Sequence, residues 1–118
     1  MSVADALLAD DFVDHSPFGP LSGDRAGVMT LFAMLFSAFP DFRAEIHQQL
    51  SEGDTVVTRK TFRGTHRGEF AGIPPTGAEV AFEVIDIVRV RNGKMGEHWN
   101  VVDAMSLMTQ LGAIPAPA

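Results

Sequence analysis

The residues best placed to do chemistry lie around one turn near the end of the chain. Asn92-Gly93 is the strongest short hairpin signal in the sequence, because a type I′ turn asks for two residues at positive φ. A two-residue turn there sets Val90 opposite Met95, Val88 opposite Glu97, Asp86 opposite Trp99, Val84 opposite Val101 and Phe82 opposite Asp103. Alternation along the strands gathers these residues on one face, the apolar one. Asp86 and Asp103 then point with Trp99 into the apolar side. Burial raises a carboxyl pKa, which is how an aspartate becomes an acid or base near neutrality. One bulged residue would reverse the parity and turn His98 inward instead.

Each of these residues also has a plainer reading. Asp103 directly precedes a helical segment, where a capping carboxylate is typically worth ~1 kcal/mol. Asp86 fits equally as a carboxylate bonded to a neighbouring amide, and Trp99 as a core aromatic. His15, His47, His66 and His98 are spread along the chain, and no pair has metal-ligand spacing, so no metal site is expected. With no cysteine there is no thiolate ligand, disulfide or thiol nucleophile. Nucleotide-binding glycine loops and a GxSxG elbow are absent. Tyrosine is absent too, so nine Phe and one Trp supply the aromatic surface and another group must donate protons.

The elements that would position these residues can be read from periodicity. Ala4 to Ala9 reads as a short helix. Asp24 is a good N-cap for the clearest helix, in which Val28, Leu31, Phe32, Leu35, Phe36 and Phe39 form one apolar stripe before Pro40 ends it. The period then changes to two over Phe42–Leu50, Thr55–His66, Val80–Arg91 and Lys94–Val102, which read as strands. Glu69 to Gly77 is a Gly/Pro-rich loop, and Ala104–Leu111 a last helix stopped by Gly112. Strands in hairpin sequence pair antiparallel, and the Phe-rich helix must bury its stripe on one sheet face, an α+β layer arrangement with a conical pocket.

At 118 residues the chain forms one domain, over 1–112, with an Ala/Pro tail at 113–118. A net charge of −6 disfavours nucleic acid. Arg59, Lys60, Arg63 and Arg67 read as solvated strand faces rather than an anion site. The sequence has no apolar run of the ~20 residues a membrane span needs, and its acidic start is unlike a signal peptide, so cytoplasmic residence is the default.

Several segments together resemble one family: Asp11-Phe12-Val13-Asp14-His15, Gly64-Thr65-His66-Arg67-Gly68 with Gly72-Ile73-Pro74-Pro75-Thr76-Gly77, Asn92-Gly93-Lys94-Met95-Gly96-Glu97-His98-Trp99 with Asp103, and Gln110-Leu111-Gly112. The chain resembles the SnoaL-like polyketide cyclases, within the nuclear transport factor two-like (cystatin-like) folds. The resemblance runs from about Leu8 to Gly112. It implies an α+β cone, a curved antiparallel sheet wrapped around helices, in a homodimer or homotetramer. It also implies aldol-type ring closure without metal or organic cofactor on a hydrophobic small molecule, with Asp103 in the general acid/base position. On that footing His98 and Asp86 assist Asp103, while Trp99, His15, His66, Phe32, Phe36 and Phe82 line the substrate site. The family usually carries a longer N-terminal helix than the seven residues before Leu8 here. A non-catalytic module binding a hydrophobic ligand, and a structural dimer with a self-filled pocket, are the alternatives.

Overall fold

The computed structural model describes residues 6–114. Parts of two readings, the helix at Ala4–Ala9 and the Ala/Pro tail, fall outside that range. Ala6 and Leu7 are helical, and the chain then enters a strand, β1 (Leu8–Asp14). The other elements are α1 (Arg25–Ala38), β2 (Arg43–Glu52), β3 (Thr55–Thr65), β4 (Glu79–Arg91), β5 (Lys94–Val102) and α2 (Ala104–Gln110). Five strands make one sheet in the order β1-β5-β4-β3-β2. The four strands read from the sequence pair antiparallel as expected, and β1 adds a parallel edge beside β5.

Local chemistry explains the boundaries. Asp24 caps α1 by accepting from the Gly27 amide, and Asp103 caps α2 by accepting from the Ser106 amide. Asn92 and Gly93 both adopt positive φ, 50° and 75°, so the tight turn forms as its sequence demands. Beyond it the pairing slips. Val90 faces Met95, but Arg89 faces Glu97, leaving Gly96 as an extra residue on β5. A glycine inside a strand is a common bulge site. Past the bulge, Val88 faces His98, Asp86 faces Asn100 and Val84 faces Val102. This corrects the regular register: His98, not Trp99, shares the inner face with Asp86.

The core lies between the inner face of β4 (Val80, Phe82, Val84), the end of α1 (Leu35, Ala38, Phe39), Phe70 of the following loop, and Leu107 and Leu111 around α2. The α1 stripe is therefore only partly used: Leu35 and Phe39 are buried, while Phe32 and Phe36 stay exposed. The loop 66–78 is tied down. Arg67 and Gly68 amides donate to the Ala38 carbonyl, and His66 and Ala78 close its base.

At Gly64, β3 and the end of α1 approach so closely that an added Cβ would sit 2.9 Å from the Phe39 Cβ. Gly64→Ala is expected to cost about 1–3 kcal/mol through overpacking, read as a lower thermal midpoint. An unchanged midpoint would mean that this packing is looser than described.

Candidate functional site

Alternation on β3 and β4 sends Thr58, Lys60 and Phe62 to the same face as Phe82, Val84 and Asp86. The bulged β5 adds His98. Beside it, β1 brings in Asp14, which stands next to His98 in the parallel register. Four charged side chains meet there. His98 Nε2 lies 2.7 Å from Asp86 Oδ1 and His98 Nδ1 lies 3.0 Å from Asp14 Oδ1. The other oxygen of Asp86 pairs with Lys60 Nζ. Asp14 also accepts from the Ser16 amide. All four are mostly shielded: side-chain exposure is 7% for Asp14, 11% for Asp86, 16% for His98 and 20% for Lys60.

The titration behaviour follows from these contacts. Burial alone would push His98 down, but hydrogen bonds to Asp86 and Asp14, with their charges, outweigh it and hold His98 above its ordinary 6.5. Burial would likewise push Asp86 up, and the hydrogen bonds and charges of His98 and Lys60 outweigh it, holding Asp86 below 3.8. This corrects the raised carboxyl expected of a buried Asp86: its partners lower it. With His98 protonated, the cluster sets two carboxylates against two cations.

An aromatic row leads to it. Phe36 meets Phe42 edge-on at 5.7 Å, Phe42 meets Phe62 at 4.7 Å, and Phe62 meets Phe82 at 5.7 Å between centroids. Lys60 Nζ stands 4.6 Å from the Phe62 ring centre. Half-exposed Phe32 and Phe36 are on α1, away from the core.

The remaining residues singled out in the sequence lie elsewhere. Trp99 is on the outer face, where His15 stacks on it at 4.6 Å and 10°. His15 also contacts Glu97, which pairs with Arg89. This corrects the placement of Trp99 beside Asp86, and the cause is the Gly96 bulge. His66, expected to line the substrate site, is fully buried at the base of the 66–78 loop. Its Nδ1 accepts from the Thr76 amide and contacts the Thr76 hydroxyl, and Phe39 packs at 5.4 Å. Asp103 is exposed, bonded to the α2 amide it caps, and stands outside the four-residue cluster. Two surface depressions, one of about 250 Å³ around Asp41, Arg63 and Gln110 and one of about 360 Å³ around Asp11, Arg91 and Lys94, also lie away from the cluster. Among the described residues no group of His, Asp and Glu is disposed to hold a metal ion.

Sequence reasoning missed Asp14 and Lys60. Asp14 sits on a strand whose acidic sequence lacks clean alternation. Lys60 carried a usable signal, since alternation in β3 sets it on the face of Phe62.

Among the described residues a curved five-stranded sheet carries two full helices and a polar cluster on its inner face, which is a nuclear transport factor two-like fold. The chain belongs to the SnoaL-like polyketide cyclase family, whose model matches residues 1–111. It is 25% identical over 100 residues to the aklanonic acid methyl ester cyclase DnrD of Streptomyces peucetius, covering 85% of this chain and 68% of that one. Among solved structures it is similar to IdmH of Streptomyces antibioticus, a candidate polyketide cyclase (35% identity, TM-score 0.77, 90% of this chain and 82% of that one). TsrD of Streptomyces laurentii is similarly close in shape (28% identity, TM-score 0.85, 94% and 81%).

The charge pairing predicts a pH dependence of stability. His98 has a raised pKa, so its contribution is complete below 6.5 and is lost as pH rises through the raised value. Asp86 has a lowered pKa, so its contribution is present above 3.8 and is lost as pH falls through the lowered value. The wild type is expected to lose thermal stability more steeply than His98→Gln above pH 6.5. Parallel stability profiles on that alkaline side would contradict a charged, doubly bonded His98.

Proposed function

We propose that the chain is an aldol-type cyclase or isomerase acting on a hydrophobic, polyketide-like carbonyl compound, working without metal or organic cofactor. Asp86 serves as the acid/base and His98 holds it. One observation carries this reading: the Asp86–His98 contact across β4 and β5, shielded on the inner face of a chain that belongs to a cyclase family. Asp103, where the family resemblance puts the acid/base, is bonded to a helix amide in an exposed position.

The chemistry asks for little more than these groups. Asp86 accepts a proton from the carbon between two carbonyls, using lone pairs left over from His98 and Lys60. The enolate carbon attacks a ketone of the same molecule, forming the carbon–carbon bond, and the new alkoxide takes a proton back from Asp86. The net reaction is an isomerisation. The half-buried Phe42 and Phe62 rings, backed by Phe82 in the core, hold a flat substrate so that its reacting carbons meet, which is the larger part of such catalysis.

Assembly through the outer sheet face belongs to the same proposal. Val101 is 73% exposed there and Leu50 61%, with Ile85, Ile87 and Trp99 between them. Such a patch on one sheet face suits a second copy of the chain. Light scattering is expected to report a dimer or tetramer, and Val101→Glu to shift it toward monomer. A monomeric wild type would remove the assembly proposal.

Two variants with opposite expectations test the acid/base assignment, using aklanonic acid methyl ester, the compound named for the relative DnrD. Asp86→Asn is expected to lower kcat by about 10²–10⁴. Asp103→Asn keeps an equally good helix cap and is expected to leave turnover almost unchanged. The reverse pattern would move the acid/base to Asp103.

A further inference from the structure

Of the two cations in the cluster, Lys60 is the one with donors left over among the described residues. An ammonium has three donors. Among the described residues, Lys60 Nζ pairs with one oxygen of Asp86 and stands 4.6 Å from the centre of the Phe62 ring. The register places Val84 and Ile46 on either side of it, both without polar side chains. That leaves donor capacity unused at a position 20% exposed, beside the middle ring of the Phe42–Phe62–Phe82 row. His98, by contrast, has both ring nitrogens engaged.

We propose that Lys60 is the carbonyl-binding residue of this site, its ammonium receiving the substrate oxygen as that oxygen becomes an anion. The inference rests on the acid/base reading of Asp86 given above. Charge counting supports it. With His98 protonated, Asp14 and Asp86 balance His98 and Lys60 in the resting site. When Asp86 takes a proton from carbon, one negative charge leaves the carboxylate and appears on the substrate oxygen. Lys60 then loses its counter-ion just as a new one forms within reach. The ammonium therefore interacts more strongly with the enolate than with the ketone, and this difference is what accelerates the step. Phe62 limits water around the ammonium on one side and offers a flat ring a stacking surface on the same side.

Alizarin (1,2-dihydroxyanthraquinone) is a suitable probe, because it is flat, carries a phenol beside a ketone, and changes colour on ionisation. The full chain is titrated with the dye at a pH just below the dye's first ionisation in water, and visible absorbance reports both binding and charge. Wild type is expected to bind the dye and draw it into the coloured phenolate form. Lys60→Met is expected to bind about ten- to a hundredfold more weakly and leave the dye neutral, and Lys60→Arg to recover most of the phenolate band. Lys60→Met strands the Asp86 charge and can cost folding, so Lys60→Met/Asp86→Asn, which removes both charges, is the third variant. It is expected to fold and to bind only neutral dye. Equal affinity and equal phenolate band in wild type, Lys60→Met and Lys60→Met/Asp86→Asn would overturn the role of Lys60 while leaving the aromatic site intact. Absence of dye binding to wild type would overturn the role of Lys60 and the aromatic-ketone site together.

Discussion

The bulge at Gly96 shifts β5 by one residue against β4, so that Val88 stands opposite His98 and Asp86 opposite Asn100. Most of what distinguishes the two faces of the sheet depends on that shift. With regular pairing, Trp99 would join Asp86 and His98 would turn to the outer face. With the bulge, His98 comes within 2.7 Å of Asp86, and Trp99 goes outside to stack on His15. One small residue thereby separates a charged inner site from an aromatic and apolar outer surface.

Four mutually dependent charges are then held in a mostly shielded place. Each would be costly to bury alone. With His98 protonated they are neutral in sum, and every one of the contacts spans two strands: Asp14 from β1, Lys60 from β3, Asp86 from β4 and His98 from β5. The site consequently requires the sheet to be complete across four adjacent strands, including the β1 edge. The charged outer residues of β1 match its position at the edge: Asp10 meets Arg25 and Asp11 meets Arg91.

Much of this was legible in the residues, and the exceptions have physical causes. Period-two alternation over β2 to β5, the Asn92-Gly93 turn and the Asp24 and Asp103 caps are local signals, and all appear where the sequence put them. β1 was hidden because Leu8-Ala9-Asp10-Asp11 has neither alternation nor β-branched residues, and a parallel edge strand gets its partner from 80 or so positions away in sequence, beyond any local pattern. The bulge was signalled by Gly96, yet a glycine shows where pairing can slip and not whether it does. Phe32 and Phe36 share a stripe with Leu35 and Phe39, but α1 meets the sheet mainly at its end, so half of the stripe stays uncovered. His66 was expected to line the substrate site, and it is buried instead because the Gly/Pro-rich loop after it folds back on Ala38.

The claim on which the site rests is that His98 is a charged imidazolium clamped between Asp86 and Asp14 on the inner face. Nitrogen-15 NMR of the histidine rings at pH 6.5, with His98→Gln to assign the signals, measures this directly. The account predicts that both nitrogens of His98 are protonated in more than half of the molecules, and that Asp14→Asn lowers that fraction. A His98 ring with one bare nitrogen in most molecules, unaffected by Asp14→Asn, would contradict it.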